Sequence, residues 1–389
     1  MGETVATRRS LASLLSSGTL TAEEVKRGNE FRSHLGHVTD EVCTQNGSKS
    51  LQHYLGTLSG DLCAAVVGEI VAEVLPTGCK IICDTFGNYF YQLLFKKATV
   101  AQKEALLQAM LFPKEEPGST IYEISVKKTG NFAFQNIIDY MKESAKLGQI
   151  IVKALQHSVV NSGTGATEDV ILPLIEHERG THVIQRIIKT FDISLWTPIY
   201  SILLEKCYDV ARDRNGSMVL RLCYGQVDID RKEDLARVII QHAKDLSADP
   251  VGNYVVQHIL MLPDAYSEEK LARYYSIIRG ILSKLAGHYL ELSKQKYSSN
   301  VVEKSITNSV MLGDNTIFRE LLTVSAVQQL LDNHYGMFVL QKLLQSIPPQ
   351  WSKEIERQMK DIEKQLKGGR MGNGPNLFEK WRQLLNKVL

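Results

Sequence analysis

A five-residue pattern recurs along the chain and gathers its planar and hydrogen-bonding side chains. It consists of a small or polar residue, a bulky one, two apolar residues, then Gln, Glu or Arg. It reads SKSLQ at Ser48–Gln52, NYFYQ at Asn88–Gln92, NFAFQ at Asn131–Gln135 and THVIQ at Thr181–Gln185. It continues as SMVLR at Ser217–Arg221, NYVVQ at Asn253–Gln257, SNVVE at Ser299–Glu303 and MFVLQ at Met337–Gln341. Position five is Gln52, Gln92, Gln135, Gln185, Arg221, Gln257, Glu303 and Gln341. Position two is Lys49, Tyr89, Phe132, His182, Met218, Tyr254, Asn300 and Phe338, all long or planar enough to cover a ring face. Position one is Ser48, Asn88, Asn131, Thr181, Ser217, Asn253, Ser299 and Met337. Platforms for stacking, alternating with groups that can meet a base edge, are what recognition of splayed single-stranded bases requires.

The elements that must position these residues follow from the spacing. Residues four apart share one helix face, so positions one and five align, with position two beside them. The apolar pairs Phe90/Tyr91, Val183/Ile184, Val219/Leu220, Val255/Val256 and Val301/Val302 then point into a core. A glycine precedes seven copies, at Gly47, Gly87, Gly130, Gly180, Gly216, Gly252 and Gly336. It is expected to make the turn into the helix, with the Ser, Asn or Thr of position one at the helix entrance. Another apolar helical stretch lies upstream of each copy, for example DVILPLIE and PIYSILLEKCYDVA. Each repeat therefore reads as a helical hairpin, and eight copies 36 to 50 residues apart suit a stacked all-α solenoid that lines up positions one, two and five.

Composition narrows the classes. Hydrophobic residues make up 44% of the 389, enough for a large core, while the net charge is only +2, so any basic surface must be local. The six cysteines, Cys43, Cys63, Cys79, Cys83, Cys207 and Cys223, form neither a disulfide framework nor a zinc spacing. No metal or cofactor is expected. A reduced intracellular compartment is the better fit. No apolar run is read as long enough to span a membrane, and MGETVATRRSLASLLSS lacks an apolar signal core. No P-loop, nucleophile elbow or HExxH is present, so an enzyme is not expected. NSGTGATED at Asn161–Asp169 lacks phosphate-loop spacing and reads as an insertion. Insertions are read at about Lys114–Tyr122, Val159–Asp169, Pro263–Ile278 and Asn308–Ile317.

The eight ordered motifs resemble the Pumilio (PUF) family, and GHVTDEVCTQNGSKSLQHYL and YSSNVVEKSI are similar to that family's first and seventh repeats. The resemblance implies a right-handed superhelical, crescent-shaped α-solenoid of eight PUF repeats over residues 36–345. Helical caps would occupy 1–35 and 346–389. It implies single-stranded RNA along the concave face, antiparallel to the protein, and control of messenger RNA stability or translation from 3′ untranslated regions. It also implies a cytoplasmic monomer with protein partners on the convex face or the 308–317 loop. A nuclear or nucleolar role in ribosome assembly stays open, as does a peptide-binding solenoid in which the Gln and Asn are merely solvated.

Base chemistry then sets a target. Two amides match uracil's edge, which assigns uracil to Asn88/Gln92, Asn131/Gln135 and Asn253/Gln257. The Ser299/Glu303 carboxylate accepts both guanine donors. Gln with a small partner suits adenine at Ser48/Gln52 and Thr181/Gln185. Arg221 beside Ser217 can donate to cytosine; guanine or a backbone phosphate are its alternatives. At Met337, uracil rests on Gln341 alone. The family's polarity gives 5′-UGU[C/A]AUUA-3′, with cytosine first at base four. The basic residues at position six, Arg186, His258, Lys304 and Lys342, either approach the RNA backbone or form inter-repeat ion pairs. At the ends, Thr21 and Glu24 read as a capping box. LFEKWRQLLNKVL carries a stripe of Leu377, Phe378, Trp381, Leu384, Leu385 and Val388. That helix either packs on the last repeat or binds a partner.

Overall fold

The computed structural model describes residues 10–113, 120–156, 169–262, 267–368 and 374–388. The chain forms two compact units, Met1–Ile202 and Leu203–Leu389. Among the described residues every regular element is a helix. Each pentapeptide lies inside one. In the first unit these are α1 (Gln45–Thr57), α2 (Gly87–Lys97), α3 (Lys128–Asp139) and α4 (Gly180–Thr190). In the second they are α5 (Gly216–Gln226), α6 (Gly252–Ile259), α7 (Ser298–Leu312) and α8 (His334–Gln345). Within each unit the motif helices pack side by side in chain order. The apolar pairs of the motif are sealed: Val183, Ile184, Val301 and Val302 are all 0% exposed.

Two helices, not one, precede each motif helix. Ahead of α2 come Gly60–Val74 and Gly78–Cys83; ahead of α6 come Ile229–Gln241 and Ala243–Ala248. The repeating unit is therefore three helices rather than the expected hairpin. The short middle helix, five to eight residues long, was hidden in the sequence because it is too brief to show a periodicity of its own.

The glycines have a different role from the one expected. None of the seven has a positive φ, so none is needed for a turn. A Cβ added at Gly87, Gly130, Gly180, Gly216, Gly252 or Gly336 would instead lie 2.7–3.0 Å from the carbonyl oxygen six residues upstream, and closer still at Gly47. The glycine lets the short helix and the motif helix touch backbone to backbone. Motif seven, which has no glycine, supports this. Ser298 stands in the same place, and its hydroxyl donates to the equivalent carbonyl, Leu292 O, at 2.7 Å. An expected consequence is an inverted helix preference at Gly252. Gly252→Ala, normally favourable in a helix, should destabilise by on the order of 1 kcal/mol through overpacking, and Gly252→Ser should cost less. Chemical denaturation of both variants checks the order.

Helix entry is also set elsewhere than expected. Position one lies inside the helix, and the cap comes three residues before the glycine. Asp249 Oδ1 accepts from Val251 N at 2.8 Å and Gly252 N at 2.7 Å. Asp84, Asp213 and Asn333 do the same for α2, α5 and α8, and His177 Nδ1 does so for α4. These short polar side chains satisfy the orphan N–H groups of the first turn.

The ends follow the sequence more closely. Thr21 and Glu24 form the reciprocal capping box of Ala22–Arg32. After α8 come α9 (Ser352–Gly368) and α10 (Gly374–Val388). α10 packs on α8, α9 and Val324–Leu331, with Trp381 0% and Leu384 7% exposed. The tail helix is thus part of the core at this end. The side chain of Val388 lies outside the described residues.

Three sequence readings are corrected. The segment 308–317 is not a loop: α7 runs to Leu312, Gly313 closes it with φ 69°, and the next helix begins at Thr316. Pro263–Ile278 is largely helix, because Glu268–Leu285 opens at Ser267. The helical stretch Gly60–Cys83 is, by length and composition, apolar enough to cross a membrane. Here Val66, Val67, Ile70 and Val74 are buried in the protein core. Residues 114–119 and 157–168, holding most of the other two insertions, lie outside the described residues.

Candidate nucleic-acid interface

The motif helices divide their three special positions by depth. Position two is exposed throughout: Tyr89 54%, Phe132 55%, Tyr254 55%, Phe338 54% and Met218 38%, with Lys49, His182 and Asn300 exposed as well. Aromatic and thioether side chains gain free energy by leaving water. Left out on helices that bury the two next residues, they make position two of each unit's helices a candidate contact surface. Position five is half-buried in all eight helices.

Position one departs from the expectation that it shares the surface. Ser48, Asn88, Asn131, Thr181, Ser217, Asn253 and Ser299 are all buried, and only Met337 is open. The reason is hydrogen bonding. Asn253 Nδ2 donates to Asp249 O at 2.8 Å and Pro250 O at 3.0 Å, and Asn88 does the same to Asp84 O and Thr85 O. Asn131 Nδ2 reaches Ser125 O at 2.6 Å and Arg179 O at 2.8 Å, tying two successive repeats together. Both N–H bonds of each amide are therefore spent on backbone. The remaining oxygen accepts from position five, as in Gln135 Nε2 to Asn131 Oδ1 and Gln257 Nε2 to Asn253 Oδ1, both 2.8 Å. Gln52 donates likewise to Ser48 Oγ at 2.8 Å, and Gln185 to Thr181 Oγ1 at 3.2 Å. The group that offers open donors and acceptors is thus the Gln, and position one holds it by one end.

The two exceptions at position five have distinct settings. Arg221 Nε donates to Ser217 O at 3.2 Å, and its guanidinium lies 5.9 Å from the Tyr254 ring centre, the platform of the next helix. It enters none of the ion pairs found among the described residues. A cation over an aromatic face is attracted to it and keeps several N–H donors free. Glu303 has its carboxyl pushed above the ordinary glutamate value by burial, an effect opposed by the Lys342 cation.

Position six proves to be structural where its contacts are defined. Arg186 pairs with both oxygens of Asp139 at 3.2 Å, an inter-repeat bridge. His258 is half-buried, lies edge-on to Tyr224 at 6.1 Å, and is held below the usual histidine range by burial and by the Arg221 charge. The sequence reading passed over Asn136 at the same position, whose Nδ2 donates to Gln92 Oε1 at 2.8 Å. Among the described residues no cluster of metal-ligating side chains occurs.

Comparison with known proteins places this geometry in a family. The profile of the Pumilio-family RNA binding repeat matches residues 79–111, 171–202, 242–261 and 288–321. Pumilio homolog 12 of Arabidopsis thaliana is 29% identical over 300 residues, covering 77% of this chain and 45% of the relative. Putative pumilio homolog 8, chloroplastic, of the same plant is 30% identical over 322 residues, covering 83% and 56%. The chain spans about half the length of these curated relatives. Among solved structures it is similar to the Puf4 RNA binding domain bound to an HO endonuclease RNA 3′ UTR recognition sequence. That match has a TM-score of 0.67 and 23% identity over 89% of this chain and 99% of that one. It is similar also to the RNA-binding domain of yeast Puf5p bound to AAT2 RNA, with a TM-score of 0.69 and 21% identity over 90% and 97%. With the motif helices, their exposed platforms and these matches together, the chain belongs to the Pumilio (PUF) family, and its fold is the family's all-helical solenoid.

Proposed function

We propose that this protein binds single-stranded RNA sequence-selectively and regulates messenger RNA after transcription. Each motif helix would place one base on its position-two platform and meet its edge with position five. The observation that carries this reading is the exposed side chain at position two of every motif helix, aromatic at Tyr89, Phe132, Tyr254 and Phe338, each beside a half-buried hydrogen-bonding group one turn along. A peptide-binding solenoid would have no use for that alternation. Similarity to domains solved with RNA from 3′ untranslated regions supports the same class of ligand.

The site we infer comprises positions one, two and five of the eight helices, with position one acting chiefly through position five. The expected target is 5′-UGU[C/A]AUUA-3′, with base four opposite Arg221. Arg221 has donors and no acceptor, which suits cytosine N3 and O2 better than the uracil or adenine edge. Selection from a random RNA pool, followed by sequencing of retained molecules, tests this directly. The expected outcome is a consensus containing UGU followed by C, then A and two U. Equal retention of scrambled and UGU-bearing strands at physiological salt would reject sequence selectivity, and preferential retention of duplex would reject the single-stranded reading.

A further inference from the structure

A glutamine reads two different bases depending on which way its amide points. Uracil presents an acceptor, O4, beside a donor, N3–H. Adenine presents a donor, its amino group, beside an acceptor, N1. An amide placed donor-then-acceptor fits the first; rotated by half a turn about its last bond, it fits the second. Six motif helices carry Gln at position five, so residue type alone does not separate these readings. Something must hold each amide one way round.

At Gln92 on α2 that holder is visible. Its Nε2 is drawn back along its own helix, to Asn88 O and Oδ1, both at 3.2 Å. Its Oε1 is claimed from the neighbouring helix, by Asn136 Nδ2 on α3 at 2.8 Å. Asn136 is half-buried and stands at position six, directly after the reading residue of its own motif. Position six does not meet the preceding position five everywhere: Arg186 on α4 pairs with Asp139 on α3, and Leu93 and Leu222 carry no polar group.

We propose that Asn136, at position six of α3, is a positioning residue for the base reader Gln92 on α2 and fixes its amide in the uracil-reading orientation. The inference rests on the RNA-reading function above and adds to it a second, inter-repeat determinant of which base is read. Asn136 itself need not touch the RNA.

The test uses the whole chain and seven RNAs: the target, its three variants at base seven, opposite Gln92, and its three variants at base six, opposite Gln135. Wild type is compared with Asn136→Leu, a side chain already found at position six in Leu93 and Leu222, and with Asn136→Asp, which can accept but not donate. The expected result is that the wild type prefers uracil over adenine at base seven. That ratio should fall about three- to ten-fold in Asn136→Leu, the scale of one lost hydrogen bond, and at least as far in Asn136→Asp. The base-six ratio should stay at its wild-type value in both, which a merely destabilised fold would not explain. Variants that keep the wild-type ratio at base seven overturn the proposal, as does a wild type with no preference there. Failure of the underlying reading looks different: all seven RNAs then bind the wild type alike.

Discussion

Glu303→Gln is expected to lose about 1–3 kcal/mol of binding for the target with guanine at base two, and to tilt preference there toward adenine. Guanine offers two adjacent N–H donors, and an ionised carboxylate accepts both. The isosteric amide accepts one and turns its own N–H toward the other. With Ser299 buried beside it, the new pair has the composition of Ser48/Gln52. The wild type should also show a pH signature that the variant lacks. Burial holds the free Glu303 carboxyl above the ordinary value of 4.5. Donors from guanine favour the charged form and so lower its pKa on binding. Guanine affinity is therefore full above the free-state pKa and is lost as the pH falls through it, beginning at a higher pH than an unperturbed glutamate would show. Lys342→Met removes the opposing cation and should move that onset higher still. Anisotropy titrations with guanine and adenine at base two, between about pH 7 and pH 5, give the ratio that isolates this group. Full guanine preference in Glu303→Gln would mean that base two faces another helix.

Trp381→Ala is expected to be among the most destabilising single changes in the chain, costing about 3–5 kcal/mol. Trp381 is completely buried where α10 closes over α8, α9 and Val324–Leu331. Its removal leaves a large cavity beneath an end helix that is also anchored by the buried Leu384. A solenoid's terminal repeat has no next repeat to cover it, so the cap performs that task. The loss should appear as early unfolding of residues 352–388 in hydrogen exchange, together with a lower denaturation midpoint. Trp381→Phe should lie much closer to wild type. Among the described residues the indole N–H meets no acceptor, so phenylalanine loses volume but also removes an unsatisfied donor. An alanine variant with unchanged exchange over α9 and α10 would show that the tail is not the cap.

What the sequence determined by itself was the pattern: eight motifs, their helical state, the buried pairs and the residue types offered at positions one, two and five. These are properties of periodicity and of side-chain chemistry, and both are local. The tail helix and the Thr21/Glu24 box were legible for the same reason. Depth was not legible, because it depends on what packs alongside. Asn88, Asn131 and Asn253 look like edge readers in a list of residues. Only the folded chain shows their N–H groups spent on carbonyls, one of them at Arg179 in the next repeat, 48 residues away. The glycines read as turn formers until the short helix six residues upstream came within a Cβ radius of them. Asn136 was passed over because its meaning lies in Gln92, 44 residues earlier, and no spacing rule within one motif connects the two. Periodicity assigns a residue to a face; only contacts between helices decide which of its donors and acceptors are left to use.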